Sequence, residues 1–223
     1  MKNIRIEKIA DMVRKGMIVA DIGTDHAFLP VLLIRNKKCR KVYACDIGEG
    51  PLRAAEKTIA EAGMQDNIFP VLSDGFENVP EDANGCVIAG MGYLTAAAIL
   101  EAAYPRLGKM KQILVEINRD TIQMRKWISD HNMRIDDEAY INDRGHDYVI
   151  LSFTAKKAPS LTKRELFLGP VLMEQKDPAY IQYCAMRKKK IETILINSKG
   201  ESDKADALAE ELVVLNEFLS EVQ

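Results

Sequence analysis

An acidic turn with one glycine follows an apolar run near the start of the chain and is suited to holding a nucleotide. The turn reads Asp21-Ile22-Gly23-Thr24-Asp25-His26-Ala27 and follows the apolar residues 17–20. Glycine lets the backbone approach a ligand closely, and in α/β proteins such a turn lies where strand ends and helix amides converge. A second apolar run, 41–45, also ends in an acid, Asp46, and the spacing is typical of a carboxylate that binds a ribose.

The composition of this turn favours a cationic cofactor. Dehydrogenases carry Gly-x-Gly-x-x-Gly at the equivalent place, whereas this turn contains the single glycine Gly23. Carboxylates repel the phosphates of a dinucleotide and attract positive charge. S-adenosylmethionine, which carries a sulfonium and an ammonium group, is therefore the cofactor that we predict.

Two further predicted strands end in residues of the same character, Asp74-Gly75 and Gly90-Met91-Gly92. Ligands of open α/β sheets bind at the carboxyl ends of the strands. We expect Asp21 and the backbone of Gly23 to face the methionine end of the cofactor. Asp46 is expected to accept hydrogen bonds from the ribose hydroxyls, and Asp74 one from the adenine amino group. The predicted cofactor-binding set is Asp21, Gly23, Asp25, His26, Asp46, Ile47, Asp74, Gly75, Gly90 and Met91.

Alternating strands and helices must position these residues. Apolar periodicity predicts helices over 4–15, 27–36, 51–63, 94–103 and 121–131, and strands over 17–21, 41–46, 68–72, 86–89 and 112–117. Two late strands near 133–141 and 147–154, separated by 142–146, predict a hairpin at the sheet edge. The alternation favours an α/β fold with a Rossmann-like, mostly parallel, doubly wound sheet.

The pattern changes after residue 156. Thr162-Lys163-Arg164-Glu165 fits a helix capping box, and two helical segments follow, over about 178–197 and 202–221. Two amphipathic helices joined by a short turn predict a helical hairpin. We therefore divide the chain into an α/β domain, 1–156, and a helical, coiled-coil-like domain, 157–223.

Composition excludes several classes of protein. The 223 residues are 47% hydrophobic and 29% charged, and no apolar run approaches the ~18–20 residues of a membrane span. The amino-terminal residues lack the apolar segment of a signal peptide, so a cytoplasmic location is expected. The four cysteines form no Cys-x-x-Cys pair and the three histidines fall in separate elements, so no metal site is predicted. We expect the protein to be a monomer.

The charge of the carboxyl-terminal part is unevenly distributed. Residues 156–190 contain nine basic against three acidic residues, whereas 191–223 contain two against eight. The basic block could contact RNA phosphates or could pair with the acidic helix that follows, and the sequence leaves both interpretations open. The candidate RNA-binding residues are Lys163, Arg164, Arg187, Lys188, Lys189 and Lys190.

These residues also resemble a known family. The stretch 21–30, with Asp46 and Ala89-Gly90-Met91-Gly92, resembles the bacterial tRNA adenine-N1 methyltransferases that act at position 22, as does Leu161 to Pro170. The resemblance extends from about Ile6 into the carboxyl-terminal helices. It implies a class I S-adenosylmethionine-dependent methyltransferase domain, a helical appendage and a tRNA substrate that is methylated on N1 of an adenine.

The chain departs from the pattern of this family at two places. The family has glycine where this chain has Tyr93, and Gln-Pro-Asn where it has Glu116-Ile117-Asn118. Adenine N1 is engaged in base pairing, so the base must leave its stack, and Tyr93 or Phe28 could stack on it. The candidate catalytic residues are Asp25, His26 and Tyr93.

His26 has two interpretations that stay open at this point. It is either a residue that starts a helix and is satisfied by nearby backbone, or a hydrogen-bonding or stacking group beside the transferred methyl group.

Two other functions of the whole chain also stay open. The chain could be a class I methyltransferase for another substrate, or a noncatalytic RNA-binding protein with a degenerate cofactor pocket.

Overall fold

A seven-stranded sheet crosses the centre of the protein, in a computed structural model that describes residues 3–117, 119–197 and 203–222. The strands are β1 (Met17–Ile22), β2 (Cys39–Asp46), β3 (Ile68–Leu72), β4 (Gly85–Met91), β5 (Gln112–Ile117), β6 (Met133–Asp143) and β7 (His146–Lys157). Their order is β3-β2-β1-β4-β5-β7-β6. The first five are parallel, whereas β7 runs antiparallel to β5 and β6. This confirms the predicted mostly parallel Rossmann-like sheet with a hairpin at its edge.

Helices cover both faces of the sheet. They are α1 (Ile4–Met12), α2 (Phe28–Arg35), α3 (Glu49–Glu61), α4 (Tyr93–Ala102), α5 (Tyr104–Leu107), α6 (Thr121–Asp130), α7 (Lys163–Leu168), α8 (Leu172–Gln175), α9 (Pro178–Asn197) and α10 (Asp203–Glu221). Successive strand residues point to opposite faces. Val19 of β1 accordingly belongs to a buried cluster with Leu33 of α2, whereas Ile18 belongs to another with Leu100 of α4.

The observed elements differ from the predicted ones at a few boundaries. Helix α3 begins at Glu49, so Pro51 lies in its first turn rather than at its first residue. The turn of the β6–β7 hairpin contains only Arg144 and Gly145, both with positive φ (54° and 81°), instead of the five residues 142–146. The short helices α5 and α8 were not predicted, because four residues are too few to show a helical period.

The hydrophobic core continues from the sheet into the carboxyl-terminal helices. Phe153 of β7, Tyr180 of α9 and Phe218 of α10 belong to one buried cluster. Helix α7 begins with the predicted capping box, in which both the Thr162 and the Glu165 side chains bond to backbone amides. The division of the chain at residue 156 stays a prediction, and the shared core shows that helices α7 to α10 pack closely on the sheet.

The described residues contain neither a membrane-spanning helix nor a group of side chains suited to a metal ion. None of the helices in 3–117, 119–197 and 203–222 is long and apolar enough to cross a membrane. Within the same ranges, no three histidine, cysteine, aspartate or glutamate side chains are grouped so that they could hold a metal ion. All four cysteines are free and buried.

Candidate active site

A cleft of ≈ 770 Å³ lies at the carboxyl ends of strands β1 to β4. Six of the predicted cofactor-binding residues line it: Gly23, Asp46, Ile47, Asp74, Gly75 and Met91. The structure therefore brings together residues from four separate strand ends. The other four members of the predicted set, Asp21, Asp25, His26 and Gly90, do not line the wall of the cleft.

The glycine turn after β1 is tied to β2 by its backbone. The amides of Gly23 and Thr24 both donate to the Cys45 carbonyl, each at 2.9 Å. Gly23 has a φ of 76°, and a Cβ atom there would lie 2.2 Å from Cε of Met91. The backbone angle therefore favours glycine at this position, and a side chain there would displace the terminal methyl group of Met91, which lines the cleft.

Asp46 is oriented by two backbone amides. Its Oδ2 accepts from the amide of Asp25 at 3.2 Å, and its Oδ1 accepts from the amide of Gly48 at 3.0 Å. Each carboxylate oxygen can accept more than one hydrogen bond, so both oxygens retain acceptor capacity. The side chain is half-buried at the cleft wall, where a diol could use this capacity.

Asp21 lies behind the cleft rather than in its wall. The residue is 4% exposed and accepts a 2.8 Å hydrogen bond from the hydroxyl of Thr24. Burial raises the pKa of Asp21 from 3.8 to about 7; the Thr24 hydrogen bond opposes this rise, and the charge of Asp46 adds to it. A carboxyl group with this pKa changes its charge near neutral pH, so a nearby cation would strongly affect its ionisation.

His26 lies outside the cleft, on the outer side of the turn. Its ring is stacked on that of Phe28, with centroids 5.4 Å apart and planes 21° apart. Nε2 lies 3.6 Å from Oδ1 of Asp25, and both residues are exposed. Positive φ angles at Asp25 (52°) and Ala27 (55°) hold the histidine between two left-handed residues. The cap position of α2 is occupied by Ala27 and not by His26.

The ends of β4 and β5 form the side of the site next to Met91. Gly90 has a φ of 75° and an exposed backbone, and its amide donates to Oε2 of Glu116 at 2.8 Å. Tyr93, at the first turn of α4, is half-buried. Asn118, which matches the family pattern, lies outside the described residues.

One face of α4 completes the cleft and was missed from the sequence. Thr95, Ala98, Ile99 and Ala102 line the cleft at helical spacing. A Cβ atom on Gly75 would lie 3.3 Å from the Ile99 side chain, so helix and loop are in close contact. The signal that could have identified this face is the run of small residues at three- and four-residue spacing.

Comparison with known proteins identifies the family. The family model described as tRNA (adenine(22)-N(1))-methyltransferase, TrmK, matches residues 19–217. The chain belongs to this methyltransferase family. A Bacillus subtilis tRNA (adenine(22)-N(1))-methyltransferase is 25% identical, over 98% of this chain and 95% of that protein.

Solved structures of similar proteins include cofactor complexes. Streptococcus pneumoniae Sp1610 in complex with S-adenosyl-L-methionine is 27% identical with a TM-score of 0.88, covering 98% of this chain and all of that one. Mycoplasma capricolum TrmK in complex with S-adenosyl-homocysteine is 26% identical with a TM-score of 0.86, over the whole of both chains. S-adenosylmethionine is thus the cofactor of this methyltransferase family, as the glycine turn predicted.

Most of the basic residues proposed for RNA binding in this family member form ion pairs with acidic residues. Lys163 pairs with Glu210 at 2.8 Å, Arg164 with Glu221 at 2.8 Å, and Arg187 with Glu211 through two hydrogen bonds of 2.7 Å. Lys188 lies 3.9 Å from Glu192 on its own helix. These pairs show that the basic and acidic segments do meet. Lys189 and Lys190 are exposed and remain the candidates for RNA contact.

Proposed function

We propose that this chain transfers the methyl group of S-adenosylmethionine to N1 of adenine 22 in tRNA. The match to the tRNA (adenine(22)-N(1))-methyltransferase family over 19–217 is the observation that carries this proposal. The cleft at the carboxyl ends of β1 to β4 supports it independently, because it gathers the acids and glycines that such a cofactor needs.

The residues of the cleft fit S-adenosylmethionine in size and charge. A volume of ≈ 770 Å³ is large enough for a nucleoside with an amino-acid side arm and leaves space beside it. Asp46 offers free acceptor positions for the ribose hydroxyls, Asp74 offers one for the adenine amino group, and buried Asp21 provides negative charge for the cationic end. Six further residues complete the proposed contacts. Four of them line the cleft, Gly23, Ile47, Gly75 and Met91, and two lie in the adjoining turns, Asp25 and Gly90.

The reaction needs alignment more than acid–base catalysis. When bound, S-adenosylmethionine supplies a methyl group that the N1 lone pair takes up as the carbon–sulfur bond breaks, leaving the electron pair on sulfur. Unprotonated N1 carries no hydrogen, so no side chain has to remove a proton before transfer. The protein acts by holding the base in line and by excluding water.

The His26–Phe28 stack is the proposed platform for a base drawn from the tRNA. Phe28 is 57% exposed although it is aromatic, and the plane of its ring lies at 21° to the plane of the His26 ring. Stacking on an aromatic ring is worth about 1–3 kcal/mol per base and offsets the cost of unstacking. Tyr93 is the first residue of α4, two residues after Met91 of the cleft, and is proposed to contact the same base.

The proposed RNA-binding surface includes Lys189 and Lys190 on α9. Their side chains are exposed, whereas the other four basic residues are proposed to act chiefly in structure: Lys163 and Arg164 join α7 to α10, Arg187 joins α9 to α10, and Lys188 pairs within α9. A cytoplasmic monomer is the proposed working form, since a single chain contains the cleft and the basic helix.

The decisive experiment is methyl transfer to an unmodified tRNA transcript, followed by nucleoside analysis. We expect 1-methyladenosine in the transcript and none when position 22 is replaced by uridine. Absence of 1-methyladenosine together with tight S-adenosylmethionine binding would indicate a methyltransferase for another substrate. Absence of both would indicate an RNA-binding protein with a degenerate pocket.

A further inference from the structure

Residues 73–84, the loop between β3 and β4, form part of the cofactor cleft without containing a helix. They consist of turns, bends and irregular backbone, and Asp74, Gly75 and Phe76 line the cleft. Parallel strands are usually joined through a helix, whose backbone groups bond to each other. A loop without that internal support needs partners from elsewhere in the fold for its backbone groups. The position of Asp74 therefore depends on what holds this loop.

Hydrogen bonds within the loop join Asp74 to the residues that follow it. The amide of Glu77 donates to the Asp74 carbonyl at 3.1 Å. The Ser73 hydroxyl donates to the Gly75 carbonyl at 3.0 Å and accepts from the amide of Asn78, also at 3.0 Å. These bonds make the first half of the loop one unit, so a displacement of its far end would also move Asp74.

The side chain of Arg106, on α5, binds the far end of this unit. Its Nη1 donates to the carbonyls of Val79 at 2.6 Å and Phe76 at 3.5 Å, and its Nη2 donates to the Pro80 carbonyl. The guanidinium also lies 5.7 Å from the centre of the Phe76 ring. Arginine carries five N–H donors in a rigid planar fork, so this one side chain can bind three carbonyls of the loop at once.

Arg106 is largely shielded from water in the wall of the cleft. Its side chain is 14% exposed, and Nη1 lies 3.9 Å from Oε1 of Glu81. Hydrogen bonds from a charged donor are stronger than neutral ones, and the lower dielectric away from water strengthens them further. At the start of the loop, a Cβ atom on Gly75 would lie 3.3 Å from the side chain of Ile99 on α4. The loop is thus held against α4 at its start and against α5 at its middle.

We propose that Arg106 is a positioning residue that sets the location of Asp74 and thereby the affinity for the adenine end of S-adenosylmethionine. This inference rests on the proposed function, from which it takes the contact between Asp74 and the 6-amino group of adenine. Arg106 acts on the loop carbonyls and not on the cofactor. Without Arg106, the loop would occupy several positions, and cofactor binding would have to order it at a cost in affinity.

The test measures the binding of three ligands by calorimetry. They are S-adenosylhomocysteine, its purine analogue, which lacks the 6-amino group, and methylthioadenosine, which lacks the amino-acid end. The wild type is compared with Arg106→Met and Arg106→Lys. We expect the wild type to bind S-adenosylhomocysteine at least about fivefold more tightly than the purine analogue, the effect of about one hydrogen bond.

The two variants separate the geometry of the guanidinium from its charge. Arg106→Met removes the donors, so it should bind both adenine ligands roughly tenfold more weakly and the purine analogue only about two- to threefold more weakly. The adenine–purine ratio then falls below about twofold. Arg106→Lys keeps the charge but lacks the planar fork, so it should rescue part of the ratio.

Arg14→Met is the matched control. Arg14 also donates to a backbone carbonyl, that of Lys111 at 2.8 Å, and to Asp136. It precedes β1, at the opposite end of the sheet from the cleft. Arg14→Met should therefore keep the wild-type adenine–purine ratio even if its thermal stability is lower.

Three results would overturn the proposal. The first is an unchanged adenine–purine ratio in Arg106→Met, or in Arg106→Lys when Arg106→Met fails to fold. The second is an equal loss of the ratio in Arg14→Met, which would indicate general loosening of the protein. The third is a wild type that binds the adenine and purine ligands equally, since Asp74 would then make no contact for Arg106 to position. A wild type that binds neither S-adenosylhomocysteine nor methylthioadenosine argues instead against the proposed function itself.

Discussion

The guanidinium of Arg125 and the carboxylate of Glu138 form an ion pair from which solvent is almost excluded, with Nε and Oε1 2.8 Å apart. The pair joins α6 to β6 and also holds the segment that leads into the carboxyl-terminal helices. Nη1 of Arg125 donates to the carbonyls of Leu166 and Phe167, and Oε2 of Glu138 accepts from the amide of Val171. This pair is therefore one of the polar links between the sheet and the helical segment.

Breaking this pair should destabilise the protein strongly. Glu138→Gln leaves the Arg125 charge buried without its counter-ion, so we expect a loss of about 3–5 kcal/mol in the free energy of unfolding, measured by urea denaturation. The double variant Arg125→Met/Glu138→Gln removes both charges and should lose less than the sum of the losses in Arg125→Met and in Glu138→Gln. Additive losses would contradict a direct coupling between the two groups.

Asp21 should make stability fall as pH rises. Its pKa is raised from 3.8 to about 7 in the folded protein, so the folded state holds a proton that the unfolded state has released. The contribution is fully present below pH 3.8 and is lost as pH rises through 7. Relative to Asp21→Asn, the wild type should lose about 1.4 kcal/mol per pH unit between pH 5 and 6.5. Parallel stability curves for the two proteins would exclude this role.

The same group should link cofactor binding to proton release. A cation near Asp21 favours the carboxylate, so the affinity for S-adenosylmethionine should rise as pH increases through 7. Calorimetry in buffers of different ionisation enthalpy should detect a proton released on binding at pH 6, and none at pH 8.5. In Asp21→Asn the release should vanish, and its persistence would assign the proton to another group.

Asp46 should contribute to cofactor affinity with little effect on folding. Asp46→Asn keeps an acceptor at Oδ1 but loses the charge and one acceptor, so S-adenosylmethionine binding should weaken roughly ten- to a hundredfold. Thermal unfolding of the free protein should change little, because the side chain is half-buried and its partners are backbone amides. Undiminished affinity in calorimetry would rule out the ribose contact.

Phe28 should affect tRNA methylation and not cofactor binding. Phe28→Ala removes one ring of the His26–Phe28 stack, which lies outside the cleft. We expect a loss of roughly ten- to a hundredfold in single-turnover methylation, with S-adenosylmethionine affinity unchanged. Phe28→Tyr is the matched control and should retain most of the activity. Equal activity of Phe28→Ala and wild type would remove the stacking role.

Lys189 and Lys190 should supply salt-dependent affinity for tRNA. Reversing both charges, Lys189→Glu/Lys190→Glu, should weaken tRNA binding at low salt and flatten its salt dependence by a slope of about 1–2. The control is Lys15→Glu/Lys37→Glu, since both lysines are exposed and precede strands β1 and β2, at the opposite end of the sheet from the cleft. Similar losses in both double variants would indicate non-specific charge effects.

The order of the elements and the gathering of several predicted site residues in one cleft could be read from the sequence. Apolar periodicity and turn chemistry act between near neighbours, so the run before Asp21 and the run before Asp46 identified β1 and β2. Strand ends of a parallel sheet meet at one edge, which is why Gly75 and Met91, from β3 and β4, could be placed in one site. These features depend on local patterns and on one rule of topology.

The tertiary structure alone decided which charged side chains pair with each other and which stay exposed. Arg187 and Glu211 are 24 residues apart, and Arg5 and Glu116 are 111 apart, so no local pattern relates them. Folding brought each pair together, left the Lys189 and Lys190 side chains exposed, and buried one oxygen of Glu116 without a hydrogen-bond partner among the described residues. Side-chain partners of this kind depend on distances across the fold, which the sequence does not contain as a pattern.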